Sequence, residues 1–394
     1  MEANTLDVQD FCDRKRHIQK LKSEIRSPLV HPVPSILTEE NDGRWSVGLR
    51  RLLRPEQQDR FIELKELCRR HGLYNSKEDD DMQEAILLNF LRARKFDVTS
   101  TFDQFNLAVT ELKKLRIHEF YENMDLNSYE ETRNMYPQWT GRRDYDGLPV
   151  YVLPLSHLTK DRIENYFSTL ESCSITKKYS QPGVSAARLH FHAFYQNLIN
   201  FVTPLCSELP RRSMEIPVTA STYIIDISGV SLKQFWGIRR YLQILSMLST
   251  TYYPETLGRV FIIGMPSFFK SVWSAVSKWF DPVTRSKFHI LSVSEDTSTL
   301  ISFMDPSSLP IAYGGTLNWR YHDKPILDLQ ARNLINTLYP QNVEGNETPI
   351  EGPVVFQGGF LKCLGTKDGT LRRNISRPMR VRPNEEEKDC TACS

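Results

Sequence analysis

The sequence holds no apolar run approaching the ~18 uninterrupted residues of a membrane-crossing helix. Its first ten residues, Met1 to Asp10, are polar and acidic, with no apolar signal core. Both absences point to a cytoplasmic chain. Seven cysteines, an odd number, show no framework spacing, so no disulfide scaffold is expected. The one Cys-x-x-Cys pair, Cys390 and Cys393, follows Glu385, Glu386 and Glu387 with no second ligand pair at zinc spacing, so no metal site is expected. An excess of one charge is also missing: 50 Lys and Arg against 48 Asp and Glu leave +2, which argues against a nucleic-acid partner.

The sequence has no P-loop, no dinucleotide-binding glycine fingerprint and no nucleophile elbow, so no catalytic residue is assigned. His190 and His192 stand two apart on an expected helix, point to different faces and make a poor metal pair. Asp226 ends an apolar strand in Asp-Ile-Ser-Gly and reads as a turn or capping residue rather than a catalytic carboxylate. Ser228 has no histidine placed for it.

What the sequence does contain changes character along its length. Residues 1–53 read as a weakly ordered arm in which basic residues surround Ile18, Leu21 and Ile25. Residues 54–125 carry helical periods: Phe61, Leu64 and Leu67 after a first-turn Pro55, then Ile86, Leu87, Phe90 and Leu91 after an Asp81/Glu84 capping box, then Phe102, Phe105, Val109 and Leu112. Residues 126–320 alternate strands with helices. Strands are expected at 150–153, 221–227, 259–263 and 288–293, with helices at 160–178, 186–204, 232–249 and 267–280. Such alternation predicts an α/β fold with a mainly parallel sheet flanked by helices. Around 205–220, Pro204, Pro210 and Pro217 with Arg211 and Arg212 read as a surface insertion. Residues 321–394 read as a polar extension with little core of its own, where Arg372-Arg373-Asn374-Ile375-Ser376 has the form of a basophilic phosphorylation site.

The helix at 267–280 stands out. Phe269, Trp273, Val276 and Phe280 share one broad apolar face, with serines and lysines elsewhere. Such a helix packs on a core, or it covers an apolar ligand cavity and opens against a membrane. Directly after it, Asp281-Pro282 turns the chain, and Thr284 and Lys287 are three apart, so a hydroxyl and an ammonium can donate together to a phosphate oxygen.

Ordered blocks extend this reading. They are Asn89-Phe90-Leu91-Arg92-Ala93-Arg94-Lys95-Phe96-Asp97, Met135-Tyr136-Pro137, Asp146-Gly147-x-Pro149-Val150-Tyr151 and Ile225-Asp226-x-x-Gly229. Tyr252-Tyr253-Pro254-Glu255, Gly264-Met265-Pro266, Phe280-Asp281-Pro282-Val283-Thr284-x-x-Lys287 and Leu309-Pro310-x-x-Tyr313-Gly314-Gly315 follow. In order and spacing, over about residues 54–320, they resemble the CRAL-TRIO lipid-binding family, most closely its yeast-type phosphatidylinositol transfer proteins. The resemblance implies an N-terminal helical domain on a mixed, mainly parallel sheet whose flanking helices enclose a deep apolar lipid pocket. It implies Arg94, Lys95, Glu255, Asp281, Thr284 and Lys287 around the headgroup, and Tyr151, Ser221 and Tyr223 at a second-lipid site. Asn89 stands where members often have a basic residue, and Tyr223 is bulkier than the family's usual residue there. The function implied is phosphatidylinositol binding and phospholipid exchange at membrane surfaces, with presentation to lipid kinases and no cofactor but the bound phospholipid. Its alternatives are a carrier of a sterol or isoprenoid, or a lipid hydrolase using Asp226, Ser228 or Glu255.

Overall fold

A computed structural model describes residues 53–74, 81–214, 216–266, 268–279, 282–292, 296–338, 350–357, 360–372 and 374–375. The basic N-terminal stretch, Phe280, Asp281 and Ser376 lie outside the described residues. Pro55 opens helix α1 (Pro55–Arg70), followed by α2 (Asp81–Ala93) and α3 (Val98–Lys114), which Asp97 caps by accepting the Ser100 amide at 2.8 Å. Phe61, Leu64 and Cys68 pack on Leu87, Leu88 and Leu91 as a small core. Glu84, expected in the capping box, is bonded by Lys65 of α1 and by Tyr74. Phe90 and Ala108, on other faces of α2 and α3, join the main core and seat the helical unit on it. Helices α4 (Ile117–Asn123) and α5 (Leu126–Arg133) lead into the sheet.

Strands β1 (Gln138–Arg143), β2 (Pro149–Pro154), β3 (Ser221–Asp226), β4 (Leu257–Ile263) and β5 (Phe288–Ile290) lie side by side in chain order. The first pair is antiparallel and the rest are parallel. The crossovers are α6 (Lys160–Ser172), α7 (Ser174–Tyr179), α8 (Ala186–Asn197), α9 (Thr203–Glu208), α10 (Leu232–Tyr252), α11 (Phe269–Val276) and α12 (Pro282–Ser286). Right-handed crossovers that advance in one direction fall on one face of a sheet. On that face Tyr151, Leu153, Tyr223, Val260 and Ile262 pack with Phe191, Ile238, Tyr241, Phe269 and Val272. On the other, Val150, Val152, Ile224, Phe261 and Ile263 meet Leu300 of α13 (Asp296–Phe303) and Met304 just after it, with Leu309, Leu317 and Trp319. Burial of both faces is why β3 and β4 read as nearly unbroken apolar runs.

A buried ion pair ties the strands. Asp144, in the β1–β2 turn, accepts from Arg259 of β4 at 2.5 Å and from Thr222 Oγ1 of β3 at 2.6 Å. The Leu148 amide donates to it at 2.9 Å, and Arg259 also reaches Asp146. A second polar knot joins four helices: His190 of α8 sits between the hydroxyls of Thr132 and Thr176, each at 2.8 Å, with its ring edge-on to Phe120.

Two expectations are corrected by packing. The segment around 205–220 is no surface insertion, because Leu205, Cys206, Leu209 and Val218 lie in the main core. Irregular backbone can be buried there because the Arg211 guanidinium donates to the carbonyls of Cys206, Leu209, Met214 and Ile216. The boundary placed at 320 does not coincide with an edge of packing. Ile326 and Asp328 donate to the carbonyls of Thr140 and Gly141 on the outer side of β1, at 2.8 and 3.3 Å. Gly141 permits this approach: its φ is 88°, and a Cβ there would come within 2.5 Å of the Ile326 backbone. Then α14 (Leu329–Leu338) and strands β6 (Val354–Gln357) and β7 (Phe360–Cys363) place Ala331, Ile335, Leu338, Val354, Phe356 and Leu361 in the main core. The Tyr121 hydroxyl accepts from the Val354 amide and donates to its carbonyl. The pairs β8 (Thr366–Lys367) with β9 (Thr370–Leu371), and β10 (Asn374–Ile375) with β7, complete the chain's described end.

Replacing Arg259 by Met strands a buried carboxylate and should lower the unfolding free energy by about 3–5 kcal/mol. Arg60→Met, at an exposed pair with Glu63, should change it by less than about 1 kcal/mol. Urea titration followed by circular dichroism reads both. Burial pushes the His190 imidazole down to about 4. A depressed histidine contributes stability that is intact above an unfolded pKa near 6.5 and is lost as pH falls through the window towards 4. About 2 kcal/mol should therefore disappear from this residue between pH 8 and pH 5. His190→Gln, compared with the parent chain at both pH values, should remove that difference.

Candidate ligand-binding site

Parallel neighbours bring two distant residues together. Tyr252 ends α10, and the chain turns through Tyr253, Pro254 and Glu255 into β4, with Thr256 Oγ1 closing the turn on the Tyr253 carbonyl at 3.0 Å. Glu255 makes the turn with φ of 61°, a left-handed conformation that a residue with a Cβ adopts at a cost. Lys287 immediately precedes β5, and its carbonyl accepts the Val260 amide of β4 at 2.9 Å. The amino ends of β4 and β5 therefore abut, and Lys287 Nζ donates to Glu255 Oε2 at 2.7 Å across 32 residues of sequence. Both side chains are largely buried, at 9% and 13% exposure.

A third charge joins them. Arg92 lies in the last turn of α2; burial pulls its pKa down and the Glu255 carboxylate opposes that pull. Arg92 was not singled out from the sequence. Its signal was helical phase: Asn89 lies three residues earlier on the same side of α2 and lines a cavity beside the Glu255 turn. That cavity, of about 120 Å³, is walled by Ile86, Asn89, Phe90, Phe105, Tyr253 and Pro254. It is smaller than the roughly 300–1,000 Å³ of pockets that hold small organic ligands.

The other expected headgroup residues are distributed around this cluster. Arg94 Nε donates to Gln104 at 2.6 Å, and Gln104 Nε2 donates in turn to the Thr250 and Thr251 carbonyls at the end of α10. Arg94 is thus joined through one intervening side chain to the last turn of α10, which leads into the Glu255 turn. Lys95 is exposed, with φ of 54°, and Phe96 follows at 64°, so two successive left-handed residues end α2. The backbone of Thr284 lies in α12; its side chain, like all of Asp281, lies outside what is described.

On the sheet face, Tyr151 and Tyr223 are register partners in β2 and β3, and their rings stack with centroids 5.4 Å apart. Ser221 is two residues before Tyr223 on the same side of β3 and is fully buried. Burial raises the pKa of both phenols, so the cluster is uncharged at neutral pH. Helix α11 closes over this face. It is shorter than the expected 267–280, ending at Val276 and passing into a turn over Ser277–Trp279. Phe269 is buried, and Trp273 is half-buried between Phe269 and Phe288 at 6.1 and 5.2 Å. Val276 packs on the same core. The described apolar side chains of α11 point inward. Asp226 accepts the Ser228 amide at 2.8 Å, the turn role read from the sequence.

Comparison with known proteins agrees with the geometry. Residues 133–315 match the CRAL/TRIO domain and residues 60–107 match the CRAL/TRIO N-terminal domain, together more than half of the chain. A SEC14 cytosolic factor of Yarrowia lipolytica is 30% identical over 264 residues, covering 67% of this chain and 48% of that protein. A CRAL-TRIO domain-containing protein of Saccharomyces cerevisiae is 27% identical, covering 67% and 79%. A phosphatidylinositol/phosphatidylcholine transfer protein of Arabidopsis thaliana is 30% identical, covering 59% and 39%. The match thus spans about half of the first of these relatives, and less of the third.

Lys287→Met leaves Glu255 buried without its ammonium and should destabilise the chain by about 3 kcal/mol, whereas adding Glu255→Gln should recover a large part of that loss. Thermal unfolding of the two single variants and the double variant measures the coupling.

Proposed function

The chain belongs to the CRAL/TRIO family, and on that premise we propose that it binds phosphatidylinositol and exchanges phospholipids between membranes without catalysing a reaction on them. The observation that carries this reading is the Glu255–Lys287 pair, with Arg92 beside it, next to an apolar cavity. An ammonium has three donors; Glu255 takes one, and two remain for phosphate oxygens. The carboxylate can accept from inositol hydroxyls, while Arg94, Lys95, Asp281 and Thr284 complete the headgroup site in this proposal. Acyl chains run behind α11, which opens through its Phe269, Trp273, Val276 and Phe280 face. Each buried methylene contributes ~0.8 kcal/mol, so the chains supply most of the affinity and the headgroup contacts set selectivity.

The chain acts in this reading as a cytoplasmic carrier that meets organelle membranes transiently and presents phosphatidylinositol to lipid kinases. It needs no cofactor beyond the bound lipid. Among the described residues no helix is long and apolar enough to cross a membrane. For the second lipid, we propose a sterol or isoprenoid over phosphatidylcholine, on the ground that Tyr223, stacked on Tyr151, is bulkier than the residue the family resemblance implies at that position. A hydrolase using Asp226 gains no support from an aspartate engaged by its own turn.

Transfer of labelled phosphatidylinositol between vesicles tests the proposal. Losing a hydrogen bond to a charged group predicts a drop of about 10–100-fold for Lys287→Ala. Wild-type transfer by the Lys95→Ala/Lys287→Ala variant would exclude the headgroup assignment. Mass spectrometry of co-purifying lipid reads the second ligand: phosphatidylcholine excludes the sterol or isoprenoid reading.

A further inference from the structure

Helix α10 has an unusual charge pattern for its position. Its 21 residues include Lys233, Arg239 and Arg240 and no Asp or Glu. Lys233 stands in the first turn, where the helix dipole disfavours a cation. Neither α10 itself nor its capping by Ser231 explains that placement. The same first turns expose apolar surface. Leu232 and Trp236, four apart and so on one face, are 44% and 42% exposed. The Arg239 guanidinium lies 5.5 Å from the Trp236 ring centre, and Lys233 and Arg240 are exposed beside it. On neighbouring α6, Lys160 stands against Gly237 and is paired with Glu164 at 3.5 Å.

The patch also has a meaningful place in the fold. Helices α10 and α11 both leave the carboxyl end of the sheet, from adjacent strands β3 and β4. Gly264 packs so tightly on Ser228 that a Cβ there would overlap the Ser228 hydroxyl, so the two strand ends touch. Ile311, 59% exposed, lies in the turn that places Tyr313 beside Asp226, the last residue of β3. Leu232, Trp236 and Ile311 are three of nine exposed large apolar side chains among the described residues, and they gather at the end from which α11 starts. Two acidic groups at this end are engaged by backbone amides: Asp226 by that of Ser228 and Asp296 by that of Gly264. Asp161 and Glu164 lie beside Lys160 on α6. The inward-facing α11 offers its buried Phe269 and Val272 to no partner while closed.

We propose that Leu232 and Trp236, with Lys233, Arg239 and Arg240 around them, dock the closed protein on a membrane surface containing anionic phospholipid. Exposed Trp and Leu insert at the headgroup boundary, and the surrounding cations meet the negative surface. Docking there holds the first turn of α11 against the membrane before α11 moves. The proposal rests on the lipid-exchange reading, but it concerns surface residues remote from the headgroup site: α10 spans ~30 Å from Leu232 to Tyr252.

Sedimentation of the full chain with phosphatidylcholine vesicles, with and without phosphatidylserine, tests it. Leu232→Ala/Trp236→Ala should weaken binding at least about tenfold on anionic vesicles, with an unchanged melting temperature. Lys233→Ala and Arg240→Ala should each weaken it by about fivefold, only when phosphatidylserine is present and less so in high salt. Vesicle binding equal to wild type in these variants overturns the proposal and leaves phosphatidylinositol transfer by the parent chain as the separate test of function. No vesicle binding by the parent chain also overturns it. A dimer in analytical ultracentrifugation that Trp236→Ala dissociates, with vesicle binding unaltered, assigns the face to a second copy and overturns it too.

Discussion

Every strand of the first four in the sheet is referred to one buried carboxylate. Asp144 takes up Arg259 from β4, Thr222 from β3 and the Leu148 amide just before β2, while its own turn closes β1. An ionised group with almost no solvent contact is unfavourable unless its lone pairs are filled, and here protein donors fill them. Hydrophobic burial alone fixes which residues lie inside, but it tolerates alternative registers of flat apolar strands. The ion pair does not. With Asp144 engaged, Tyr151 must lie beside Tyr223 and the amino end of β4 must carry Glu255 towards Lys287.

This locates the polar site at the less usual end of the sheet. Open parallel sheets bind ligands outside the carboxyl ends of strands, where the strand order reverses. Here the order never reverses, and the charged cluster sits at the amino ends of β4 and β5. Glu255 in its left-handed turn is a local strain that the neighbouring ladder and ion pair hold in place. The interior behind it is filled by rings, among them Tyr195 stacked on Tyr253 at 4.2 Å and Tyr136 on Phe194 at 5.0 Å. If the interior takes acyl chains, as proposed above, those chains and these ring positions would compete for the same volume, and exchange would replace one packed state by another.

Much of this was legible in the residues. Alternating apolar runs predicted the parallel strands, the helical unit and the inward face of α11, because each obeys a local period. Glu255 and Lys287 were named, yet their mutual bond depends on two strands lying side by side, which no local pattern records. Arg92 was passed over for a related reason: its electrostatic coupling to the Glu255 carboxylate depends on α2 lying near the turn into β4, which no local pattern records. The region after 320 misled for a different one. Its apolar residues come in runs of two or three between polar and Gly- or Pro-rich stretches, as in Ile326-Leu327, Leu334-Ile335, Val354-Val355-Phe356 and Phe360-Leu361. Average polarity therefore hid Leu327, Ile335, Val354 and Leu361, which join a core built by earlier residues.

The backbone strap of Ile326 and Asp328 along β1 has a consequence for how the chain is made. Synthesis is vectorial, and a strand edge left unpaired is a template for other chains. From residue 320 to Leu361, about 40 residues must still emerge, which takes roughly 2–8 s at about 5–20 residues per second. During that interval the nascent sheet has its strands and its ion pair but no cover on β1 and gaps where Leu338, Phe356 and Leu361 belong. Folding of the sheet domain on the ribosome is therefore incomplete until residues through Leu361 have emerged, and the exposed β1 edge is the surface that a nascent-chain chaperone has reason to shield.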